Sequence, residues 1–447
     1  MKKFNKDKYL KKLKLKRFWQ SNSRYFYIGV PCILCGILGI YFAYSKFFVT
    51  QEQEVVRATV APFIRGDVVI NNYVNGQLVE DAPAQATGYK VDKIVCDNGA
   101  VGEWSAKDWG PTISNVTKRS KCNIYFVDVE KINIGNVAVP LDDYGLCPTV
   151  NADGTATVTE AESKYGYLCS MKDAYGTSYY YRGNVTNNYV KFAGFYWRII
   201  RVNGDGTVRV IYDGKSAHVN GESSSDRIIG TSAFNDKCDD NAYIGYMYGT
   251  AGSSSYEETH ANTNNSTIKT YLDTWYENNI KGTTNEQYIA DNLFCNDRSF
   301  APNNSGAGAG TSITDYRWYN FSSNVNNNKM MLTCPQKNDA FTVTDISKGN
   351  GTLTYGIGLV TTDEVVLAGS LSSRNYNYYL YNGEYYWTMS PDRFDDEDGT
   401  LERYVSSDGL VGSDGAVFVS LGARPVFNLK SEILNNGNGT ASNPYHA

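Results

Sequence analysis

The stretch Tyr25–Phe48, YFYIGVPCILCGILGIYFAYSKFF, contains one charged residue, Lys46. From Tyr25 to Ser45 about 20 residues pass without a charge, enough for a helix to cross a hydrocarbon core of roughly 30 Å. Tyr25, Tyr27, Tyr41 and Tyr44 sit where interfacial aromatic belts form. Within the first 25 residues ten Lys/Arg face a single acid, Asp7, which sets the N-terminus on the cytoplasmic side. A cleaved signal peptide has an apolar core of about 7–15 residues followed by a small-x-small site. YFAYSKFFVTQ offers a poor one, and Pro31 and Leu34 before Cys32 and Cys35 make no lipobox. The expectation is a single-pass cell-membrane protein with a basic cytoplasmic tail (1–24), a transmembrane helix (25–48), a stalk (49–64) and an extracellular body.

Topology decides how charge and cysteine are read. Without the basic tail the chain has 32 basic and 46 acidic residues, a formal −14, which argues against nucleic acid or anionic lipid as partners. Seven cysteines lie beyond the apolar segment and none forms C-x-x-C, so zinc ribbons and thioredoxin-type chemistry find no support. In an oxidising compartment the natural pairing is between sequential neighbours: Cys96–Cys122, Cys147–Cys169 and Cys295–Cys334. Each contributes about 3 kcal/mol by restricting the unfolded chain. Cys238 is left over.

Beyond the stalk, short alternating stretches such as GYKVDKIVC and KCNIYFVDV, joined by Asn-Gly-type turns, read as a small all-β sandwich over 65–130. Ile94, Cys96, Cys122, Ile124 and Phe126 are its inward positions. A larger domain is expected over 140–432, with a flexible tail at 433–447. FYWRIIRVNGDGTVRVIYDG reads as a hairpin turning at Asn203-Gly204-Asp205-Gly206, with Trp197 on its buried side. Arg201 in the first ligand position and the lack of a closing Glu make this a turn and not a calcium loop. NSTIKTYLDTWYENNIKG has Ile268, Leu272, Trp275, Tyr276 and Ile280 at helical spacing, with Asn265 or Ser266 as cap. Thr361 and Glu364 form a capping box before a shorter helix that ends at Gly369.

Chemistry-bearing patterns are sparse. The three histidines, His218, His260 and His446, stand in no metal-ligand spacing, and there is no nucleophile elbow or Walker loop. GAGAG at 306–310 neither follows a strand nor opens a helix. Cys238 with His260 is the conceivable nucleophile pair. The acidic run Asp395, Asp396, Glu397, Asp398 is the best candidate for Ca²⁺, although Phe394 occupies the first slot of the alternating ligand pattern. The plainer reading is a solvated loop tip, so no cofactor is expected.

The order of elements in the last 300 residues, with the strand YYWTMSP and the ending VFVSLGARPVFNL, resembles surface-protein domains of Gram-positive-type bacteria. These are related to the C-type-lectin-like architecture of formylglycine-generating (sulfatase-modifying) enzymes. Trp387, Ser390 and Pro391 match a W-x-x-S-P strand; Gly422, Arg424 and Pro425 match a closing G-x-R-P. The resemblance implies an α+β fold in which an irregular antiparallel sheet and two main helices present a loop surface, with Arg424 structural. Oxidation of a substrate cysteine in the enzymatic branch needs a cysteine pair near the end of the chain, whereas this chain has none after Cys334.

The combined expectation is a non-catalytic, membrane-anchored surface protein that binds an extracellular glycan or protein. Among its 36 tyrosines, Tyr376, Tyr378, Tyr379 and Tyr381 are the expected contact aromatics. Arg393, Asp395, Asp396, Asp398 and Tyr404 are the expected polar partners, and Trp197, Trp275, Trp387 and Arg424 the structural residues. The alternatives are a pilus-like envelope subunit, or an enzyme of the formylglycine-generating type or another extracellular hydrolase.

Overall fold

Strict alternation in SKCNIYFVD builds the central strand of the first unit: Cys122, Ile124 and Phe126 point inward and are at most 1% exposed. The computed structural model describes residues 68–85, 87–141, 145–158, 164–319, 329–370 and 374–447. The expected tail 1–24, membrane segment 25–48 and stalk 49–64 lie outside them. Among the described residues no helix is long and apolar enough to cross a membrane.

Six strands open the described chain: β1 (Val68–Val74), β2 (Gln77–Val79), β3 (Tyr89–Cys96), β4 (Val101–Ser105), β5 (Gly110–Ser114) and β6 (Ser120–Asp128). The order is β2-β1-β6-β3, with β1 and β6 parallel. Asn75 and Gly76 both take positive φ, as a two-residue hairpin turn requires. Among the described residues the layer over the inner face is the β4–β5 hairpin, whose Trp104 meets Phe126 edge-on at 5.4 Å. The expected sandwich is thus one sheet with a two-stranded cover, because the chain between Cys96 and Cys122 is too short for a second full sheet. Cys96 and Cys122 are direct cross-strand partners and are bridged.

The next hairpin, β7 (Lys131–Ile134) and β8 (Val137–Pro140), lies between the two expected domains. It belongs to the large one, burying Ile134 and Val139 in the main core. There β9 (Gly166–Lys172), β10 (Thr177–Gly183), β11 (Tyr189–Phe192), β12 (Phe195–Val202) and β13 (Val208–Gly214) begin a seven-stranded sheet. After β14 (Thr231–Ala233) come the short helix α1 (Tyr256–Thr259) and α2 (Thr267–Asn279). Then follow β15 (Ile357–Gly358), α3 (Thr362–Ala368), β16 (Tyr386–Asp395), β17 (Gly399–Val405), β18 (Val411–Ala416), β19 (Ser420–Gly422) and β20 (Val426–Leu429). The larger sheet runs β9-β10-β12-β13-β20-β15, with β11 on β12; the second runs β14-β19-β16-β17-β18. Strands predominate and helices are few.

Local chemistry explains both longer helices. The Ser266 side chain accepts from the Lys269 N–H, and α2 buries Ile268, Leu272 and Tyr276. In α3 the capping box of Thr361 and Glu364 is closed on both sides, and Gly369 at φ 132° donates back to the last turn. Cys147–Cys169 and Cys295–Cys334 are bridged and Cys238 is free.

The C-terminus departs from expectation. The segment 433–447 is not a loose tail: Ile433 and Tyr445 are buried in the main core. Backbone bonds join Tyr445 to Tyr189 and Lys191, and the Tyr445 hydroxyl donates to the Ile134 carbonyl at 3.1 Å. The polar composition of NNGNGTASNP suggested freedom, whereas one buried aromatic and a strand-like pairing with β11 fix the segment.

Candidate functional site

β16, the strand of YWTMSP, is buried from Tyr386 to Asp392. Trp387 is fully buried; its indole N–H donates to the Ser232 carbonyl at 2.9 Å and its ring meets Phe234. On the outer side the Tyr404 ring lies across Gly412 and Gly415 of β18, where a Cβ at either position would strike it. Tyr404 thereby leans on Trp387 from one side and on Tyr385 from the other, with centroids 6.4 and 6.0 Å away. Tyr385 is 47% exposed.

The expected contact aromatics divide. Tyr376 is 43% exposed and stands edge-on to Tyr381. Tyr378 and Tyr379 are fully buried and Tyr381 nearly so, which removes all three from the ligand surface. The Tyr378 hydroxyl donates to the Gly409 carbonyl, and the Tyr379 ring faces the Arg198 guanidinium. Arg393 pairs with Asp395 at 2.9 Å and reaches Asp398 at 3.6 Å. Asp395 also accepts from the backbone N–H groups of Glu397 and Asp398, so the acidic run closes on itself as a turn. Asp396 is exposed. Among the described residues no group of three or more His, Cys, Asp or Glu is arranged to hold a metal. Next to Tyr376, an unforeseen pair forms between Arg374 and Asp408 at 3.1 Å.

The interior holds a set of arginines that the composition did not announce. Arg182, Arg198, Arg209, Arg227, Arg298, Arg403 and Arg424 are all at most 1% exposed. Asp213 accepts from Arg227 and Arg424, each at 2.8 Å, and Arg198 stands 3.9 Å away. Arg424 also donates to the carbonyls of Tyr212 and Leu380, tying β20 to β13 and to the loop before β16. The Arg182 guanidinium satisfies the open carbonyls of Val366 and Leu367 at the end of α3. Trp197 and Trp275 meet at 6.2 Å and stack the hairpin on α2.

A cavity of about 380 Å³, counted with its open mouth, is walled by Arg201, Arg209, Arg317, Asp297, Asp363 and Glu364. Glu364, the capping-box residue, takes Arg201 at 3.1 Å and Arg209 at 2.5 Å. Burial opposes its charge, yet the two guanidiniums outweigh burial and hold the carboxyl below the ordinary value. Arg317 bridges Asp297 and Asp363, where burial outweighs the guanidinium and lifts the Asp363 carboxyl. Each charged side chain named in this wall is paired with another of them. Its work is to join β12, β13, α3 and the crossing loops.

The conceivable Cys–His pair is not assembled. His260 is fully buried, with Nε2 at 2.9 Å from the Gly308 carbonyl and Nδ1 at 3.0 Å from Arg298. Burial and then Arg298 depress its basicity, so the ring is neutral, donating through Nε2 and accepting through Nδ1. Cys238 lies against Gly399, and burial with the nearby Asp239 raises its thiol. Comparison with known proteins gives no match to any family model, to any curated protein or to any solved structure.

Proposed function

We propose that this chain is a membrane-anchored, outward-facing binding protein whose large domain is a C-type-lectin-like module acting without catalysis. The observation that carries the reading is a pair of exposed tyrosines, each held in place by another aromatic. Tyr376 rests on Tyr381, and Tyr385 on Tyr404, which in turn lies on two glycines of β18. Rigid amphipathic rings with little rotamer freedom left to lose are efficient contact groups. Arg374 and Asp408 add a partly exposed pair of opposite charge beside Tyr376. The proposed ligand surface comprises Tyr376, Tyr385 and Tyr404 with Arg374 and Asp408, while the Arg393–Asp395–Asp398 turn lies at the far end of the β16–β17 hairpin from Tyr385. A neutral or mixed-charge glycan or peptide suits such a surface better than a polyanion.

The test is binding of the intact protein in lipid nanodiscs to glycan and peptide arrays, compared with a Tyr376→Ser/Tyr385→Ser variant. The reading requires a ligand whose affinity falls at least about tenfold in the double variant, since aromatic anchors dominate such interfaces. Binding indifferent to both tyrosines, or none at all, refutes it.

A further inference from the structure

The loop 215–227, between β13 and β14, lies against the segment that carries Tyr376. A Cβ on Gly221 would stand 3.7 Å from the Tyr376 carbonyl oxygen, and one on Gly383 would strike the Ser223 side chain. The Ser224 N–H donates to the Asn382 carbonyl at 3.0 Å. Two carboxylates, Glu222 and Asp226, bracket Ser223 and Ser224, and one imidazole holds both. His218 is 5% exposed, with Nδ1 at 2.8 Å from Glu222 and Nε2 at 2.8 Å from Asp226. Its carbonyl accepts the Tyr189 hydroxyl at 2.5 Å, which ties the residue to β11.

A neutral imidazole has one N–H and one lone pair. Two carboxylates at hydrogen-bond distance call for two N–H groups, so the arrangement suits the imidazolium. The two carboxylates are not equivalent. Burial opposes the charge of Asp226, yet the Ser224 hydroxyl, His218 and the Lys215 N–H hold its carboxyl below the ordinary value. The Glu222 side chain is 43% exposed and its other oxygen accepts the Val219 N–H at 3.2 Å. A ring with one N–H therefore keeps Asp226 and turns a lone pair on Glu222.

The other charges around the ring are engaged elsewhere. Asp213 is taken by Arg227 and Arg424, and the Arg198 guanidinium lies 3.9 Å over the Tyr189 ring. Burial raises the Tyr189 hydroxyl and pushes that of Tyr212 up to about 12, so neither ionises where an imidazole does. The Lys215 side chain is exposed. The facing segment brings Tyr376, Tyr379, Tyr381 and Glu384; the Tyr379 carbonyl is turned to Arg227, and the Glu384 N–H donates to Asn382.

We infer that His218 is a pH-sensitive latch on the segment that carries Tyr376. As the imidazolium it closes Glu222 and Asp226 around Ser223 and Ser224. On losing a proton it releases Glu222, and the stretch 219–223 loosens against Tyr376 and Asn377. The closed loop binds the extra proton, so closure is favoured below the imidazole range and lost as pH rises through it. The inference rests on the reading of Tyr376 as a contact aromatic for its consequence, which is tighter ligand binding on the acid side.

The experiment is amide hydrogen exchange of the full chain at about pH 5.5 and about pH 8.5, corrected for the intrinsic pH dependence of exchange. Peptides covering 219–224 and 376–383 should lose about tenfold in protection at the higher pH, while the β12–β13 hairpin keeps its own. In Glu222→Gln the amide can accept from Nδ1 or donate to it, and every other titratable group stays. Protection in that variant should be the same at both pH values. His218→Gln should exchange fast at both. Equal protection of the wild-type loop at both pH values overturns the latch. A loss that persists in Glu222→Gln overturns it as well, assigning the change to another group. No ligand enters the measurement, so its failure is distinct from failure of the binding reading.

Discussion

Glu402 gives the sharpest test of the interior. It lies on β17 between Pro391 and Gly415 of the neighbouring strands and is fully buried. Oε1 accepts the Gly245 N–H at 2.6 Å, while Oε2 has no partner. Burial lifts its carboxyl well above 4.5, against the pull of that N–H group, and the Asp392 charge adds to the rise. The folded protein therefore holds a proton that the unfolded chain has released. For an acid raised in this way, the stabilisation is complete below the unfolded value and is lost as pH rises toward the folded value. The slope is about 1.4 kcal/mol per pH unit for one proton. Glu402→Gln keeps the acceptor for Gly245 and removes the titration. Urea unfolding of both proteins between pH 5 and 8 gives the difference directly. The wild type should lose stability relative to the variant by about 1.4 kcal/mol per unit until the folded value is reached. The variant should therefore be the more stable at the alkaline end. A difference independent of pH would mean that Glu402 is solvated or ion-paired, and the account of its burial would fail.

Asp213→Asn should destabilise by about 3–5 kcal/mol in chemical denaturation, because it leaves three buried guanidiniums without their shared carboxylate; a loss below about 1 kcal/mol would contradict that. Trp387→Ala should cost about 3–5 kcal/mol by thermal or chemical unfolding, whereas Asp395, Asp396 and Asp398 changed together to Asn should stay within about 1 kcal/mol. The reverse order would mark the acidic run as a structural calcium site. Tyr445→Ala should also cost about 3 kcal/mol and raise hydrogen exchange in β7 and β11; unchanged exchange there would mean that the C-terminal segment is not holding them. Non-reducing peptide mapping should recover Cys96–Cys122, Cys147–Cys169 and Cys295–Cys334, and free thiols at these positions would overturn the redox assignment.

What the sequence disclosed follows the range of the interactions involved. The β12–β13 hairpin, the Ser266 cap and the Thr361–Glu364 box depend on residues a few positions apart, so pattern alone locates them. The three disulfides join sequential neighbours, again a short-range rule. The tyrosines were harder because the side chain is equally at home half-buried and exposed. Tyr378 is decided by the Gly409 carbonyl, 31 residues away, and Tyr379 by Arg198 in another strand. Tyr445 is decided by Ile134, more than 300 residues earlier. The exposed Tyr385 adjoins the core strand and in sequence looks like part of it. The one local hint of the buried arginines was their place among apolar neighbours, as in YWRIIRV and TVRVIY.

Those arginines also account for long polar loops beside so rigid a core. A loop cannot be fixed by apolar burial when its residues are Asn, Ser and Gly, but its carbonyls can be held by a guanidinium with five donors in a planar fork. Arg298 illustrates this, meeting Asp339, Asn262, His260 and the Met247 carbonyl at once. Arg403 does the same for Asp392, Trp318 and Gly412. Such pairs add less to stability than apolar packing of equal volume. Their contribution is directional: each fork accepts one arrangement of the segments crossing it. Arg424 holds the Leu380 carbonyl on the segment between Tyr376 and Tyr385, and Arg227 holds the Glu222 carbonyl in the loop whose Gly221 abuts Tyr376. These forks fix the segments that carry Tyr376 and Tyr385, so both tyrosines stand exposed and are still held in place.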